Sequence, residues 1–344
     1  MKIFVTGGCG FIGSNFILRQ IKSNNCEIMN YDKLTYAGNA ANIKSLSNNN
    51  NYSFFKGDIC DFNSLKKAIY FFRPNWVVHF AAESHVDNSI NEPNIFIKTN
   101  VEGTANLLGV SLSYFKGLTD SEKNYFKFLH VSTDEVFGSL GQKGYFNNDS
   151  NYSPNSPYSA SKASSDHLVR AWHATYQLPT LITNCSNNYG PFQYPEKLIP
   201  LLVTNCLKNK SLPIYGDGKN IRDWIYVNDH CDAISLILKK GKIGNTYLIG
   251  GNNEINNNSI AEKICDIMDK IKPRENFTSY KELITYVKDR PGHDFRYAID
   301  SSCIEKELGW KPAVNFDSGI KNTIKWYLEN EEWWKKIIQK KKVL

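Results

Sequence analysis

Tyr158 and Lys162 stand four residues apart in a stretch that reads as helix, Pro157 to Tyr176, so both side chains point to one face. An ammonium beside a phenol favours the phenolate and lowers its pKa. That makes the tyrosine a usable acceptor for the proton of a sugar or alcohol hydroxyl. On spacing alone the pair is equally a surface helix contact. A second group, Ser132-Thr133-Asp134-Glu135, closes a strand-like run that begins at Phe126. Thr133 can hydrogen-bond a substrate oxygen. Adjacent carboxylates in a closed site repel, so one holds its proton while the other is ionised, giving an acid and a base. A helix cap or a solvated acidic pair has the same spacing. Hydride transfer needs no acid–base pair beyond the tyrosine, so the extra pair points to an elimination.

A dinucleotide has its own signature. Gly7, Gly10 and Gly13 form G-x-x-G-x-x-G between a first strand and a first helix. There glycine permits a tight turn and close approach of backbone N–H groups to a pyrophosphate at the helix N-terminus. Asp32 follows Gly13 by 19 residues, at the end of a second strand. Its carboxylate suits the hydroxyls of an adenosine ribose and repels a 2′-phosphate, which favours NAD over NADP, although Lys33 beside it works the other way. Asp58 is expected near the adenine, and Ala81-Ala82 offers a small surface for the cofactor to lie against. Lys197, Arg222, Arg290 and His293 are candidate clamps for an anionic ligand, each equally an internal ion pair. The seven histidines form no H-x-x-x-H or H-E-x-x-H pattern, so no metal site is expected.

Strands at Ile3–Thr6, Glu27–Tyr31, Tyr52–Lys56, Trp76–Ala82, Phe126–Ser132 and Thr180–Asn184 alternate with helices near Gly13–Lys22, Asp61–Phe72, Pro93–Tyr114 and Pro157–Tyr176. This alternation predicts an α/β fold, a Rossmann-type doubly wound parallel sheet. After residue 190 proline, glycine and asparagine break the rhythm. The expected organisation is a cofactor domain over 1–190 carrying the catalytic residues, and a smaller mixed α/β substrate domain over 191–330. The latter is allowed strand and helix returns to the first, and 331–344 is read as a basic tail. Of the net charge of +7, Lys335, Lys336, Lys340, Lys341 and Lys342 lie in that tail, read as a solvated, frayed helix end. Recognition-helix and zinc-finger patterns are absent, and no apolar run approaches 18 residues, so neither nucleic acid nor a membrane is an expected partner. Eight scattered cysteines without a C-x-x-C pair, and an opening without a signal peptide, lead to an expectation of free thiols in the cytoplasm.

With these residues the chain resembles the extended short-chain dehydrogenases/reductases and, within them, the nucleotide-sugar 4,6-dehydratase family, over about residues 1 to 330. The matching segments are Gly7 to Gly13, Tyr31 to Gly38, Ala81 to Asp87, Ser132 to Val136, Tyr158 to Lys162, Asn187 to Pro191 and Asp289 to His293. The resemblance implies oxidation at C4 of a sugar nucleotide, loss of water across C5–C6 and reduction at C6 with recycled NAD. Catalytic residues would be Thr133, Asp134, Glu135, Tyr158 and Lys162. NAD would be held by Gly7, Gly10, Phe11, Ile12, Gly13, Asp32, Lys33, Leu34, Thr35, Gly38, Asp58, Ile59, Ala81, Ala82, Ser84 and Thr99, together with Tyr158 and Lys162. Substrate contacts would come from Ser84, Thr133, Asp134, Glu135, Asn187, Lys197, Leu198, Pro213, Ile214, Tyr215, Arg222, Asn257, Asp289, Arg290, Pro291, Gly292 and His293. The implied substrate is dTDP-glucose, and the implied assembly is a homodimer formed through Pro93–Tyr114 and Pro157–Tyr176. UDP-glucose as donor, 4-epimerisation and a non-catalytic NAD-binding regulator remain as alternatives; Asp134-Glu135 argues against epimerisation, and the intact Tyr158 and Lys162 against a regulator. The stretch between Gly138 and Pro154 is shorter than in many relatives, with Asn148 where glutamate is expected, which leaves its behaviour as a lid open.

Overall fold

The computed structural model describes residues 1–23, 26–275 and 278–341. Lys2–Thr6 (β1), Glu27–Asp32 (β2), Tyr52–Lys56 (β3), Trp76–His79 (β4), Lys127–Thr133 (β5) and Thr180–Cys185 (β6) are the first six strands. Later come Asn187–Tyr189 (β7), Leu212–Tyr215 (β8), Ile221–Tyr226 (β9), Thr246–Ile249 (β10), Glu254–Asn256 (β11) and Ile284–Val287 (β12). The main sheet runs β3-β2-β1-β4-β5-β6-β10, parallel throughout. Its chain order reverses between β1 and β4, the crevice where such sheets bind ligands at the strands' carboxyl ends.

Strand alternation explains why both faces are apolar. Ile3, Val5 and Leu129 lie in one core with Phe16 and Ile17 of the Phe11–Ser23 helix and with Ile234 and Ile237 of the Val227–Lys240 helix. Their neighbours Phe4 and Phe128 lie in the opposite core, against Leu65 and Ile69 of the Phe62–Phe72 helix and Leu107 of the Gly103–Lys116 helix. A third core gathers Leu202, Leu212, Trp224, Ile264 and Ile320 among the helices Leu198–Leu207, Asn257–Ile271 and Phe316–Glu329. Two small sheets, β11-β9-β7 and β12-β8, pack with it.

Several elements depart from expectation. The fourth strand stops at His79, because the chain leaves the sheet where Ala81 presses against Gly7. The helix from Pro93 continues to Lys116, but its turn at Ile97–Glu102 is a π-helix. There the Asn100 side chain bonds both main-chain groups of Glu83 and donates to Ser161 Oγ at 2.8 Å. Beyond residue 190, the Val227–Lys240 helix and β10 return to the main sheet.

The tail differs most. Instead of fraying, Glu331–Lys341 is a helix docked by Trp334, 1% exposed, whose Nε1 donates to Tyr327 O. Lys335 and Lys336 stay exposed and pair with Glu331 and Glu332 one turn back. Lys342 lies outside the described residues.

Candidate functional site

One cleft of about 310 Å³ follows the carboxyl ends of the main-sheet strands. Its first end is built largely of main chain. Gly7 has φ +74°, and a Cβ there would come within 2.5 Å of Ala81 N; one at Gly13 would come within 2.4 Å of Gly7 O. Only glycine lets these segments meet. Phe11 and Ile12 open the helix at this turn, where first-turn N–H groups have no helical partner, and both line the cleft with Gly10.

Asp32 ends β2 with its Oδ2 accepting from Cys9 N at 2.8 Å and its Oδ1 from Leu34 N at 2.7 Å. Burial raises its pKa. Each oxygen keeps a lone pair for a ribose hydroxyl. A Cβ on Gly38 would sit 2.9 Å from Asp32 Oδ1, so glycine leaves that space open. Leu34, at φ +59°, serves through its main chain and does not line the cleft. Lys33 Nζ is 2.7 Å from Asp58 Oδ2. Burial pushes the Asp58 pKa upward, but the bonds from Lys33 and from Cys60 N, with the Lys33 charge, together outweigh it and hold the group low. Thr35, Asp58, Ile59, Ala81, Ala82, Ser84 and Thr99 complete this wall. A turn that admits no side chain, with a fixed carboxylate one strand away, fits an adenine dinucleotide lacking a 2′-phosphate.

Thr133, Asp134, Glu135, Tyr158 and Lys162 meet in the same cleft. Ser156 caps the Pro157–Tyr176 helix through a capping box, with proline at its first position, so the register of Tyr158 and Lys162 is set locally. Thr133 Oγ1 donates to Asp134 Oδ1 and accepts from Glu135 N, both at 3.3 Å. Asp134 is 1% exposed and its Oδ2 has no partner. Burial, then the charge of Glu135, raises its pKa well above the ordinary carboxylate range. Burial also raises Glu135, opposed by Arg290, Arg222 and Lys197. Asp134 is therefore the natural proton holder of the pair.

The tyrosine departs from expectation. Lys162 Nζ donates to Val131 O at 2.9 Å and lies 3.3 Å from His130 Nε2. The Tyr158 pKa is raised well above its ordinary value by burial and then by Glu135. In this state the phenol is kept protonated, because desolvation and the carboxylates dominate its surroundings.

The other end of the cleft is lined by Asn187 and Lys197, and beyond that lining side chains from distant segments gather near Glu135. Asn187 has an unpartnered Oδ1, and Lys197 donates to Ser84 O at 3.1 Å. Arg222, 6% exposed, stacks over Tyr297 with its guanidinium carbon 4.3 Å from the ring centre, and donates to the carbonyls of Ile221, Asp294 and Phe295. Arg290 and Tyr215 converge on Asp87, with Arg290 Nη1 at 3.4 Å and the tyrosine hydroxyl at 3.2 Å from its two oxygens. His293 Nδ1 is 2.7 Å from Asp289 Oδ1, and Arg290 Nε is buried without a partner. Pro291 and Gly292, the latter at φ +64°, turn the chain between them.

Other predicted contacts are set back. Leu198 begins a helix and packs on the third core, and Asn257 begins another, its N–H bonded to Asn220 O. Pro213 lies in β8 opposite Thr285. Ile214 is fully buried in the third core. The short loop after Gly138 is stitched down, Leu140 N bonding Arg296 O and Phe146 N bonding Ala298 O at 2.9 Å each, with Asn148 Nδ2 on Thr246 O. Among the described residues no group of three or more potential ligands could hold a metal.

Sequence reasoning missed Asp87, Tyr194, Glu196, His130 and Asp166. Asp166 did carry a signal, since Tyr158, Lys162 and Asp166 repeat at intervals of four. Nothing in sequence marks His130, whose relevance arises only from the pairing of β5 beside that helix.

A family profile described as GDP-mannose 4,6 dehydratase matches residues 4–323. A probable dTDP-glucose 4,6-dehydratase of Sinorhizobium fredii is 53% identical, covering 99% of this chain and 96% of its own. The dTDP-glucose 4,6-dehydratase of Salmonella typhimurium is 52% identical, with 97% and 94% covered. The Bacillus anthracis dTDP-glucose 4,6-dehydratase solved with NAD superposes with a TM-score of 0.87 at 46% identity, covering 98% of this chain and 99% of that one. The Streptomyces venezuelae dTDP-glucose 4,6-dehydratase solved with NAD and TYD gives 0.89 at 42%, covering 98% and 100%.

Proposed function

The chain belongs to the family described as GDP-mannose 4,6 dehydratase, and from its site we infer that it removes water from dTDP-glucose, leaving dTDP-4-keto-6-deoxyglucose. It is an NAD-dependent hydro-lyase. The observation that carries this is the proton-holding Asp134 beside Glu135, next to Tyr158, in a cleft whose other end fits a dinucleotide. NAD bound there supplies first an oxidising and then a reducing equivalent, and ends the turnover as it began.

The residues divide the proton work. Thr133 holds the sugar 4-oxygen, and Tyr158 must first give up its own proton, with Lys162 as its supporting charge, before it takes that of the 4-hydroxyl; the proton passes on to solvent as Asp134 is reprotonated, which closes the cycle. Once C4 is a ketone, the C5 hydrogen is acidic. Glu135 removes it while Asp134 gives its proton to the departing 6-hydroxyl, which leaves as water. Glu135 then returns a proton to C5. Lys197, Arg222 and Arg290 neutralise the diphosphate of the nucleotide.

Gly7, Gly10, Gly13, Asp32 and Asp58 hold the cofactor, all within residues 1–190, and the diphosphate clamps all lie within 191–330. The protein works in the cytoplasm as a homodimer. Support comes from eight unpaired cysteines, and from Ile95 and Ile97, 46% and 54% exposed, on one of the two implied interface segments. Among the described residues no helix is long and apolar enough to cross a membrane.

The test is to incubate purified protein separately with dTDP-glucose and UDP-glucose, following sugar mass and the alkali-induced absorbance of a 4-keto sugar. Loss of one water from dTDP-glucose without stoichiometric use of added NAD is expected. Preference for UDP-glucose would keep the chemistry and change the donor. An unchanged mass with both would overturn the dehydration.

A further inference from the structure

Lys162 is 4% exposed, and burial pulls its pKa down to about 8. A buried ammonium keeps its proton only if something nearby compensates the lost hydration. Its two hydrogen-bond partners, Val131 O and His130 Nε2, are neutral: burial, then the charge of Lys162, pushes the His130 pKa to about 4. The compensating anion is Asp166, one turn further along the same helix and fully buried. Its Oδ1 lies 3.2 Å from His130 Nε2, and its Oδ2 accepts from Tyr152 OH at 2.7 Å and Asn184 Nδ2 at 3.0 Å. His130 Nε2 thus stands between ammonium and carboxylate, able to accept from one or donate to the other.

We propose that Asp166 is a positioning residue for the reaction: acting through His130, it fixes Lys162 in place and keeps it charged behind Tyr158. The other groups around this pair leave that task to Asp166. Cys185 on β6 is driven upward by burial and stays a neutral thiol. His79 on β4, its ring 5.1 Å from that of His130, is held well below its ordinary pKa by burial and is neutral too. Arg170 adds positive charge on the far side, donating to Tyr152 OH at 2.7 Å. Asp166 therefore faces two cations across two hydrogen-bonded side chains, and its loss leaves both without a counter-charge.

The role rests on the dehydration reading for the step it serves, yet the charge of Lys162 is measurable without turnover. The experiment uses the NAD-loaded protein, with Asp166→Asn, His130→Gln and Tyr152→Phe. Competitive labelling with acetic anhydride over a pH series gives the midpoint of Lys162 reactivity, and initial rates with dTDP-glucose give kcat and KM over the same series. In Asp166→Asn the Lys162 midpoint is expected to fall by about one pH unit. The alkaline limb of kcat should move down with it, while KM holds. Tyr152→Phe keeps the carboxylate and should leave the midpoint in place; His130→Gln should lower it, and carries the test if Asp166→Asn does not fold. A folded Asp166→Asn with an unmoved midpoint would overturn the proposal, as would an unmoved His130→Gln where Asp166→Asn does not fold. A lowered midpoint in protein that dehydrates neither sugar would sustain the role of Asp166 and sink the dehydration.

Discussion

The two ends of the cleft are built by opposite means. The cofactor end is made of main chain pressed against main chain, at Gly7 against Ala81 and Gly13 against Gly7, with Asp32 pinned by two N–H groups. The substrate end is made of long side chains from segments far apart, several already engaged inside the protein, such as Arg222 on three carbonyls and Arg290 on Asp87. A main-chain site tolerates almost no added atom but needs few special side chains. A side-chain site tolerates reshaping but depends on the charge of each member. The two ends should therefore fail differently.

The largest effect belongs at the junction. Asp134→Asn and Glu135→Gln should each lower kcat by about a hundredfold or more, since each removes a proton-transfer group. Bound NAD, measured on the purified variants, should match the parent. Loss of NAD from either variant would break the distinction between the ends. Next comes Gly13→Ala, whose Cβ would lie 2.4 Å from Gly7 O. Overpacking of this kind costs about 1–3 kcal/mol. If that falls on the bound state, NAD affinity drops roughly ten- to a hundredfold, read by titration, while dTDP binding stays near the parent value.

Charge dependence at the substrate end sharpens the contrast. Burial raises Glu135, and Arg290 is the strongest influence lowering it. A base must be ionised, so turnover should fall as pH drops through an apparent value above the ordinary carboxylate range. Asp134 and Glu135 titrate as a coupled pair, and the limb belongs to both. Arg290→Gln removes positive charge, raises the pKa of Glu135 and so moves the acid limb of kcat to higher pH, by about one unit or less. KM for dTDP-glucose should rise as well. Gly13→Ala should leave that limb unmoved.

The same contrast explains what was legible. A main-chain site is written in contiguous residues, so Gly7, Gly10, Gly13 and Asp32 could be read from spacing. So could the Pro157–Tyr176 helix, because its Ser156 cap and Pro157 are local signals. Side-chain placement is a tertiary result. Ile214 is among the substrate contacts that the resemblance implies, yet strand alternation turns it into the core. The pKa of Tyr158 is raised because burial and the carboxylates dominate its surroundings, a balance that spacing does not contain. The π-turn at Ile97–Glu102 depends on Asn100 reaching Glu83 and Ser161, contacts made across the fold.

The tail is the clearest case. Its lysines suggested a frayed end, while its tryptophans carried the structural information. Trp333 packs edge-on against Trp326, ring centres 5.0 Å apart, and donates from Nε1 to Asn42 Oδ1 at 2.8 Å. Asn42 Nδ2 in turn donates to Cys9 O at 3.0 Å, and Cys9 N to Asp32 Oδ2. The C-terminal helix is thereby tied, through three hydrogen bonds, to the carboxylate assigned to the ribose. Trp333→Phe keeps an aromatic ring and removes the first of these bonds, leaving the Asn42 oxygen without its donor. The expected loss is about 1 kcal/mol of stability, seen as a fall of about 2 °C in Tm. Asp32 keeps both of its main-chain donors, so NAD affinity should fall by no more than about twofold. A tenfold fall would mean that the main-chain end depends on a distant side chain after all, and that the two ends differ less than their construction implies.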